Sequence, residues 1–461
     1  MLQRYFGDKA FYRRVLAVAL PIIVQNGITN FVSLLDNIMV GQVGTLQMSG
    51  VAIVNQLLFV FNLCIFGAVS GAGIFTAQFF GSENHQGVQH TFRFKLIIGV
   101  LLSALGIAVF CIGDQTLIGL YLQGEGTPED IASTLSFGRD YLKVMLWGLP
   151  AFALSTAYSS TLREGNQTLV PMVAGISAVF VNLCLNYILI FGHFGMPAMG
   201  IRGAALATVI ARYCELIIVG GWTHLNPDRN TFIRGAYRSL HIPGRLLKQI
   251  ILKGMPLLIN EAFWSTGMAM LSQSYSTRGL DVVAAQNISS TLYNLSSVVF
   301  LSMGNAVGII MGQMLGASRS ETEVRDYNRK LIFTSILSCL IFGGLMAAIS
   351  GLFPRIYNTT DSVQTLATQL ILISAALMPF NAYTNACYFT LRSGGQTLIT
   401  FLFDSCYVWT LCVPLAFVLS RFTALPILPL YAICHCMDIL KCAVGAYMVR
   451  QGKWIQNLAI Q

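Results

Sequence analysis

Charge is what this sequence of 461 residues lacks most: Asp, Glu, Lys and Arg make up 10% of it, against 55% hydrophobic residues and a mean hydropathy of +0.66. Soluble proteins carry about a quarter charged residues, so a soluble enzyme and a highly charged disordered chain are both excluded. The apolar runs lack the strict alternation of barrel strands. Catalytic signatures are missing as well, with no HExxH or GxGD motif and six scattered His, so no enzyme is expected. A disulfide framework has no place either. All eleven Cys fall in apolar runs, where the thiol acts as a small hydrophobe. Cys434-His435-Cys436 does not put its members on one helix face. No removable signal peptide is expected, because the first apolar stretch is too long for one.

What is present is long, unbroken apolar sequence. About 20 such residues cross the roughly 30 Å hydrocarbon layer, and the backbone there must satisfy itself as helix or closed barrel. Apolar runs and polar breaks predict twelve spans: 14–40, 51–80, 94–113, 133–161, 168–192, 200–222, 249–278, 284–315, 330–352, 363–391, 397–419 and 426–449. The expected class is an all-α polytopic membrane protein. With the N-terminus placed inside, twenty Lys and Arg, from Arg4 to Lys453, fall in cytoplasmic segments and six in outer ones. That bias predicts two cytoplasmic termini in a cell membrane. It also accounts for the net charge of +9 without a nucleic-acid partner.

The chain repeats itself. Residues 161–169 read TLREGNQTL and 390–398 read TLRSGGQTL, seven identities in nine at an offset of 229. Upstream, Pro150 pairs with Pro379 and Ala153 with Ala382. Earlier in each half the offset is 235, pairing Pro21 with Pro256, Lys95 with Lys330, and Gln78-Phe79-Phe80-Gly81 with Gln313-Met314-Leu315-Gly316. Six spans per copy is an even number, so both copies insert the same way, related by a pseudo-two-fold axis along the membrane normal. Secondary transporters are built so, with substrate handled between repeats that rock. The expected organisation is a bundle over 1–222, an Arg-rich cytoplasmic linker over 223–248 and a second bundle over 249–461.

Polar residues mark helix faces. Asn26, Thr29, Ser33 and Asp36 recur at helical spacing in the first span, and Glu261, Ser265, Ser272 and Ser276 follow in the seventh. The second span adds Asn55 and Asn62, and the tenth Asn381, Thr384, Tyr388 and Arg392. Such stripes across both halves point to a water-accessible chamber. Gly304, Gly308, Gly312 and Gly316 form an every-fourth series that suits close helix packing or a sliding surface.

Five acids lie within spans: Asp36, Glu215, Glu261, Asp404 and Asp438. A charge at mid-bilayer costs about 2.5–3.5 kcal/mol on insertion scales, which makes each a functional suspect. Arg212 is three residues from Glu215, and Lys441 three from Asp438, so both acids are expected to form structural pairs. Asp36 and Glu261 have no base at helical spacing, while Asp404 is within possible reach of Arg392. A desolvated carboxylate holds its proton more tightly, and it also suits Na⁺ or an organic cation.

These residues resemble one family. Ala19-Leu20-Pro21 leading to Asp36-Asn37-Ile38-Met39-Val40-Gly41, Met255-Pro256 leading to Glu261, the doubled TLRxGxQTL motif and Asn182-Leu183-Cys184-Leu185-Asn186 are similar to the multidrug and toxic compound extrusion (MATE) family, in its bacterial DinF- and NorM-like branch. The resemblance implies export of lipophilic, often cationic compounds, driven by H⁺ or Na⁺ as coupling ion and needing no other cofactor. It implies a cation-coupling group of Asp36, Asn182, Asn186 and Thr208, with a possible Na⁺ site at Asp36 and Asn182. Asn186 stands where some members carry a second acid, which disfavours Na⁺. It further implies a second acidic or substrate site at Glu261, taken with Asn260, Phe263, Tyr388 and Asp404. Trp264 would add aromatic surface for organic cations. The expectation is a monomeric, H⁺-coupled antiporter in contact with membrane lipid. The alternative is a flippase for lipid-linked precursors from the same wider superfamily, which would need a basic cavity.

Overall fold

The computed structural model of the chain describes residues 5–122, 127–357 and 359–460; Arg4 lies outside them. Among the described residues it is all helix. The order is α1 (Lys9–Gly41), α2 (Thr45–Gly81), α3 (His85–Gly119), α4 (Pro128–Met145), α5 (Gly148–Glu164), α6 (Leu169–Phe191), α7 (Ile201–Leu225) and α8 (Gly244–Ser276). Then come α9 (Leu280–Gly316), α10 (Glu321–Ile349), α11 (Asp361–Ser393), α12 (Thr397–Phe401), α13 (Val413–Phe422) and α14 (Ile427–Gln451). The pair α4–α5 fills one expected span, and α12–α13 another. Among the described residues ten passages are long and apolar enough to cross a membrane. The other two are α4–α5 and α8, the latter interrupted by Lys253 and Glu261.

Local chemistry starts and stops these helices. Asn84 caps α3 by accepting from the Gly87 amide at 2.9 Å, and Ser320 caps α10 through Glu323. Thr127 does the same for α4, whose first turn holds Pro128, Glu129 and Asp130 and whose last holds Lys143, complementing the helix dipole.

The expected span 133–161 is broken at Leu146–Trp147. Pro150 has no N–H and its ring opposes the carbonyl four residues back, at Leu146. Gly148 lowers helix propensity at the same place. The second copy has Leu377 and Pro379, and α11 runs through unbroken. Between α12 and α13 lie two π-turns, Leu402–Cys406 and Val408–Cys412.

The helices form two compact units, one of Val24–Thr76 and Asn84–Gly254, the other of Met1–Ile23, Ala77–Glu83 and Met255–Gln461. The first unit packs around Val54, Ile65, Leu142, Ala153 and Ala205. The other has cores around Ala285, Leu370, Ala416 and Leu430, and around Cys339, Met378 and Ala382. The chain passes between the units at four points: inside α1 just after Pro21, inside α2 at Thr76–Ala77, at Glu83–Asn84 before α3, and inside α8 at Gly254–Met255 beside Pro256. The first and last of these coincide with the repeat-paired prolines.

Within the second-listed unit the two copies of the Gln-x-x-Gly motif cross. A Cβ on Gly81 would overlap the Gln313 carbonyl, and one on Gly316 would overlap the Gln78 carbonyl. The Gln78 amide donates to the Ser393 carbonyl at 2.8 Å and accepts from the Leu458 amide at 2.6 Å, fixing the segment after α14. Of the glycine series, Gly304 and Gly308 face Phe389, Gly312 faces Ala77 and Gly316 faces Gln78. The series is a packing surface along its whole length.

The linker is folded. Thr231–Ile233 form a single 3₁₀ turn that buries Phe232 and Ile233. Phe232 packs edge-on to Phe92 of α3, with ring centroids 5.1 Å apart.

Candidate functional site

The first centre lies in the first-half unit, on α1, α6 and α7. A spacing of four puts Asn182 and Asn186 one turn apart on α6, and both amides reach Asp36. Asn186 Nδ2 donates to Asp36 Oδ1 at 2.9 Å. The Asn182 amide fits in two ways. Turned one way, its nitrogen donates to Asp36 Oδ2 at 2.8 Å and to Oδ1 at 3.1 Å, while its oxygen accepts from Thr208 Oγ1 at 3.2 Å. Turned the other way, it donates to Thr208 Oγ1 and accepts from Asn186 Nδ2, each at 3.2 Å. Its oxygen then faces the carboxylate, which is favourable only with a positive charge or a proton between the two. Asp36 forms no ion pair among the described residues. Asn186 Oδ1 is buried and accepts no hydrogen bond there.

Sequence reading missed Tyr141 in this centre. On α4, its hydroxyl donates to Asn55 Oδ1 of α2 at 3.3 Å, and the buried ring lies within electrostatic reach of Asp36. The only sequence signal was Asn55 on its polar stripe.

The second centre lies in the other unit, on α8, α11, the π-turns and α14. Asp404 Oδ1 takes the Lys441 ammonium at 2.7 Å, and Oδ2 takes Asn260 Nδ2 at 3.1 Å. Ser405, next along the π-turn, donates to Asn260 Oδ1 at 2.6 Å and to its carbonyl at 2.8 Å. A π-turn adds a residue to the helical circuit, and here two consecutive side chains meet one asparagine. The Tyr388 hydroxyl is 3.5 Å from Asn260 Nδ2. Lys441 also stands 5.2 Å from the Phe403 centroid and 5.9 Å from that of Tyr407.

Two expected pairings are corrected here. Lys441 is bound to Asp404, 37 positions away, and not to Asp438 one turn along its own helix. Asp438 forms neither ion pair nor hydrogen bond among the described residues and keeps only the electrostatic influence of Lys441 and Asp404. Arg392 does not hold Asp404. Its guanidinium lies 5.2 Å from the Phe389 ring and acts electrostatically on Glu261, so Glu261 has a basic neighbour that its own helix does not supply. Glu215 pairs with Arg212 at 3.5 Å, matching the helical spacing.

A further pair escaped the sequence. Lys95, fully buried, donates to Glu164 at 2.5 Å, to Thr161 at 3.2 Å and to Ser160 at 3.1 Å. Glu164 is one of the two positions where the repeated motif differs, Ser393 being its counterpart. Arg163, common to both copies, donates to Gln25 of α1 at 2.7 Å.

Phe263 is half exposed and packs edge-on to Phe401 and Trp409 at 6.0 and 6.3 Å between centroids; the Trp409 indole donates to its carbonyl at 2.8 Å. Trp264 is also exposed. His435 packs on Tyr431 with centroids 4.1 Å apart. Among the described residues no three His, Cys, Asp or Glu side chains gather as metal ligands.

A family model named MatE matches residues 21–188 and 256–418. Over 448 residues the chain is 25% identical to the Thermotoga maritima protein named "Probable multidrug resistance protein NorM", covering 96% of this chain and 93% of that one. It is 24% identical over 426 residues to the multidrug resistance protein MdtK of Pectobacterium atrosepticum, covering 91% and 89%. Among solved structures, an outward-facing multidrug resistance MATE family transporter superposes with a TM-score of 0.86 at 16% identity, over 97% of this chain and 98% of that one. A Vibrio cholerae MATE transporter gives 0.86 at 17% identity, over 98% and 99%.

Proposed function

This chain belongs to the MatE family and is a multi-pass membrane protein; from that premise we propose that it is an H⁺-coupled antiporter exporting lipophilic, often cationic compounds by alternating access. The drug-resistance names of its relatives support efflux as the activity. The flippase reading gains nothing from them.

The observation that carries the coupling assignment is the shell of Asp36: two amides, and no fixed cation among the described residues. An ionised Asp36 is met by the Asn182 nitrogen, and a protonated one donates to the Asn182 oxygen. One amide thus serves both charge states by turning over. Protonation removes the negative charge that attracts an organic cation, and the substrate leaves. Proton loss on the other side of the membrane restores that charge. The half-exposed aromatics Phe263 and Trp264 give the second-half unit an apolar face of the kind that suits organic cations.

Na⁺ is the second reading, and Asn186 Oδ1 favours it. A buried amide oxygen without a donor, on the residue whose nitrogen binds Asp36, is a ligand of the type suited to a hard monovalent cation. Proteoliposome efflux of a fluorescent organic cation separates the two. The H⁺ reading expects efflux under a proton gradient and none under a sodium gradient alone. The reverse result overturns it. Fluxes that ignore both gradients overturn coupling through Asp36 altogether.

A further inference from the structure

We infer that the segment joining α7 to α8 is a membrane-surface strap that docks on anionic phospholipid headgroups in the leaflet beside it. The segment starts at the end of α7 and finishes at the start of α8, and it lies against the beginning of α3, so it sits at one end of the helices. Its backbone is pinned there. Arg93 donates to three of its carbonyls, Ala236 at 2.7 Å, Gly235 at 3.0 Å and His241 at 3.3 Å. Gln89 holds the carbonyls of Arg234 at 2.8 Å and Phe232 at 3.3 Å. His85 bonds Thr231 at 2.8 Å, and the Tyr158 hydroxyl, 3.0 Å from His224 Nε2, also meets the Tyr237 hydroxyl.

What the pinned backbone presents outward is basic and apolar together. Arg229 and Arg238 of the segment, with Arg245 and Lys248 in the adjoining first turns of α8, are exposed and form no ion pair among the described residues. Asp228 is the only acid between Glu215 and Glu261, and it is taken by Arg234. Beside the cations, Leu225, Tyr237 and Leu240 are 82%, 53% and 64% exposed. Cations alternating with apolar and tyrosine side chains at a helix end suit the boundary between headgroups and acyl chains.

The positive-inside bias alone demands only that cations lie on that side, and a loose tether would meet it. It does not demand that a buried arginine fix the tether's main chain, nor that leucines stand exposed among the charges. An anionic lipid surface accounts for both, since each cation near it strengthens binding roughly fivefold.

The test uses the purified full-length protein in neutral detergent, titrated with phosphatidylglycerol, phosphatidylcholine or inorganic phosphate, with retained lipid counted by native mass spectrometry. The wild type should prefer phosphatidylglycerol about tenfold or more, less so in raised salt, and phosphate should not displace the lipid. The variant R229Q/R238Q/R245Q/K248Q should lose that preference while keeping its phosphatidylcholine binding and its Tm in phosphatidylcholine. Should it unfold, R229Q/R238Q and R245Q/K248Q should each lose part of the preference. Undiminished phosphatidylglycerol binding in the variants, no preference in the wild type, or displacement by phosphate would overturn the assignment.

Discussion

Asp36 and Asp404 solve the same problem in opposite ways. Each is a carboxylate on a membrane helix, one in each half of the duplicated sequence. Asp36 receives neutral donors from Asn182 and Asn186, which stabilise a negative charge without cancelling it. Asp404 receives an ammonium at 2.7 Å, and Asn260 on its other oxygen. An amide can be turned to suit a proton, whereas an ammonium must be displaced. The first arrangement is reversible at low cost and the second is a fastening. In the first half the acid fit for exchange is therefore Asp36, which lacks a fixed cation; in the second half Glu261 and Asp438 likewise form no ion pair among the described residues.

The largest effect should come from Asp36. Asp36→Asn should reduce proton-driven efflux to the level of protein-free vesicles while the protein still reaches the membrane. Retained efflux would show that carboxylates of the second half suffice. Lys441→Met should come next, leaving the partly buried Asp404 without its cation. That should lower stability by about 1–3 kcal/mol, read as the unfolding midpoint in detergent, and adding Asp404→Asn should recover most of it. If the single variant is as stable as the wild type, the fastening role is wrong. Glu261→Gln should reduce efflux by no more than about threefold, roughly 0.6 kcal/mol of barrier, because the coupling proton is assigned to Asp36; a loss as deep as that of Asp36→Asn would move coupling into the second half. The smallest effect belongs to Asp438→Asn, which should change stability by less than about 0.5 kcal/mol. A loss of several kcal/mol there would restore the pairing with Lys441 that helical spacing favours.

The contrast between these acids also shows what kind of information a sequence holds. The span pattern and the duplication were legible from apolar runs and repeated motifs, whereas the grouping of Asp36 with Asn182, Asn186 and Thr208 came from the family resemblance, since helical spacing places only Asn182 and Asn186 on one face. The Asp404–Lys441 pair was not legible, since spacing rules offer Asp438 as the nearer partner and π-turns shift the register on which such rules depend. The break between α4 and α5 was readable in hindsight from Gly148 and Pro150 together, as the unbroken α11 with Leu377 makes plain. Nothing in residues 226–243 announced a folded strap. Its anchors, Arg93 and Gln89, lie far off in α3 and bind main chain, which has no side-chain signature.

The crossing of Gly81 against Gln313 and Gly316 against Gln78 has a consequence for ancestry. After a gene doubles, most of each copy is released to drift. These twin motifs abut, so a methyl group gained by either glycine collides with its sibling's backbone. Neither descendant could wander without the other's consent, and the seam preserves, face to face, a trace of the single ancestor.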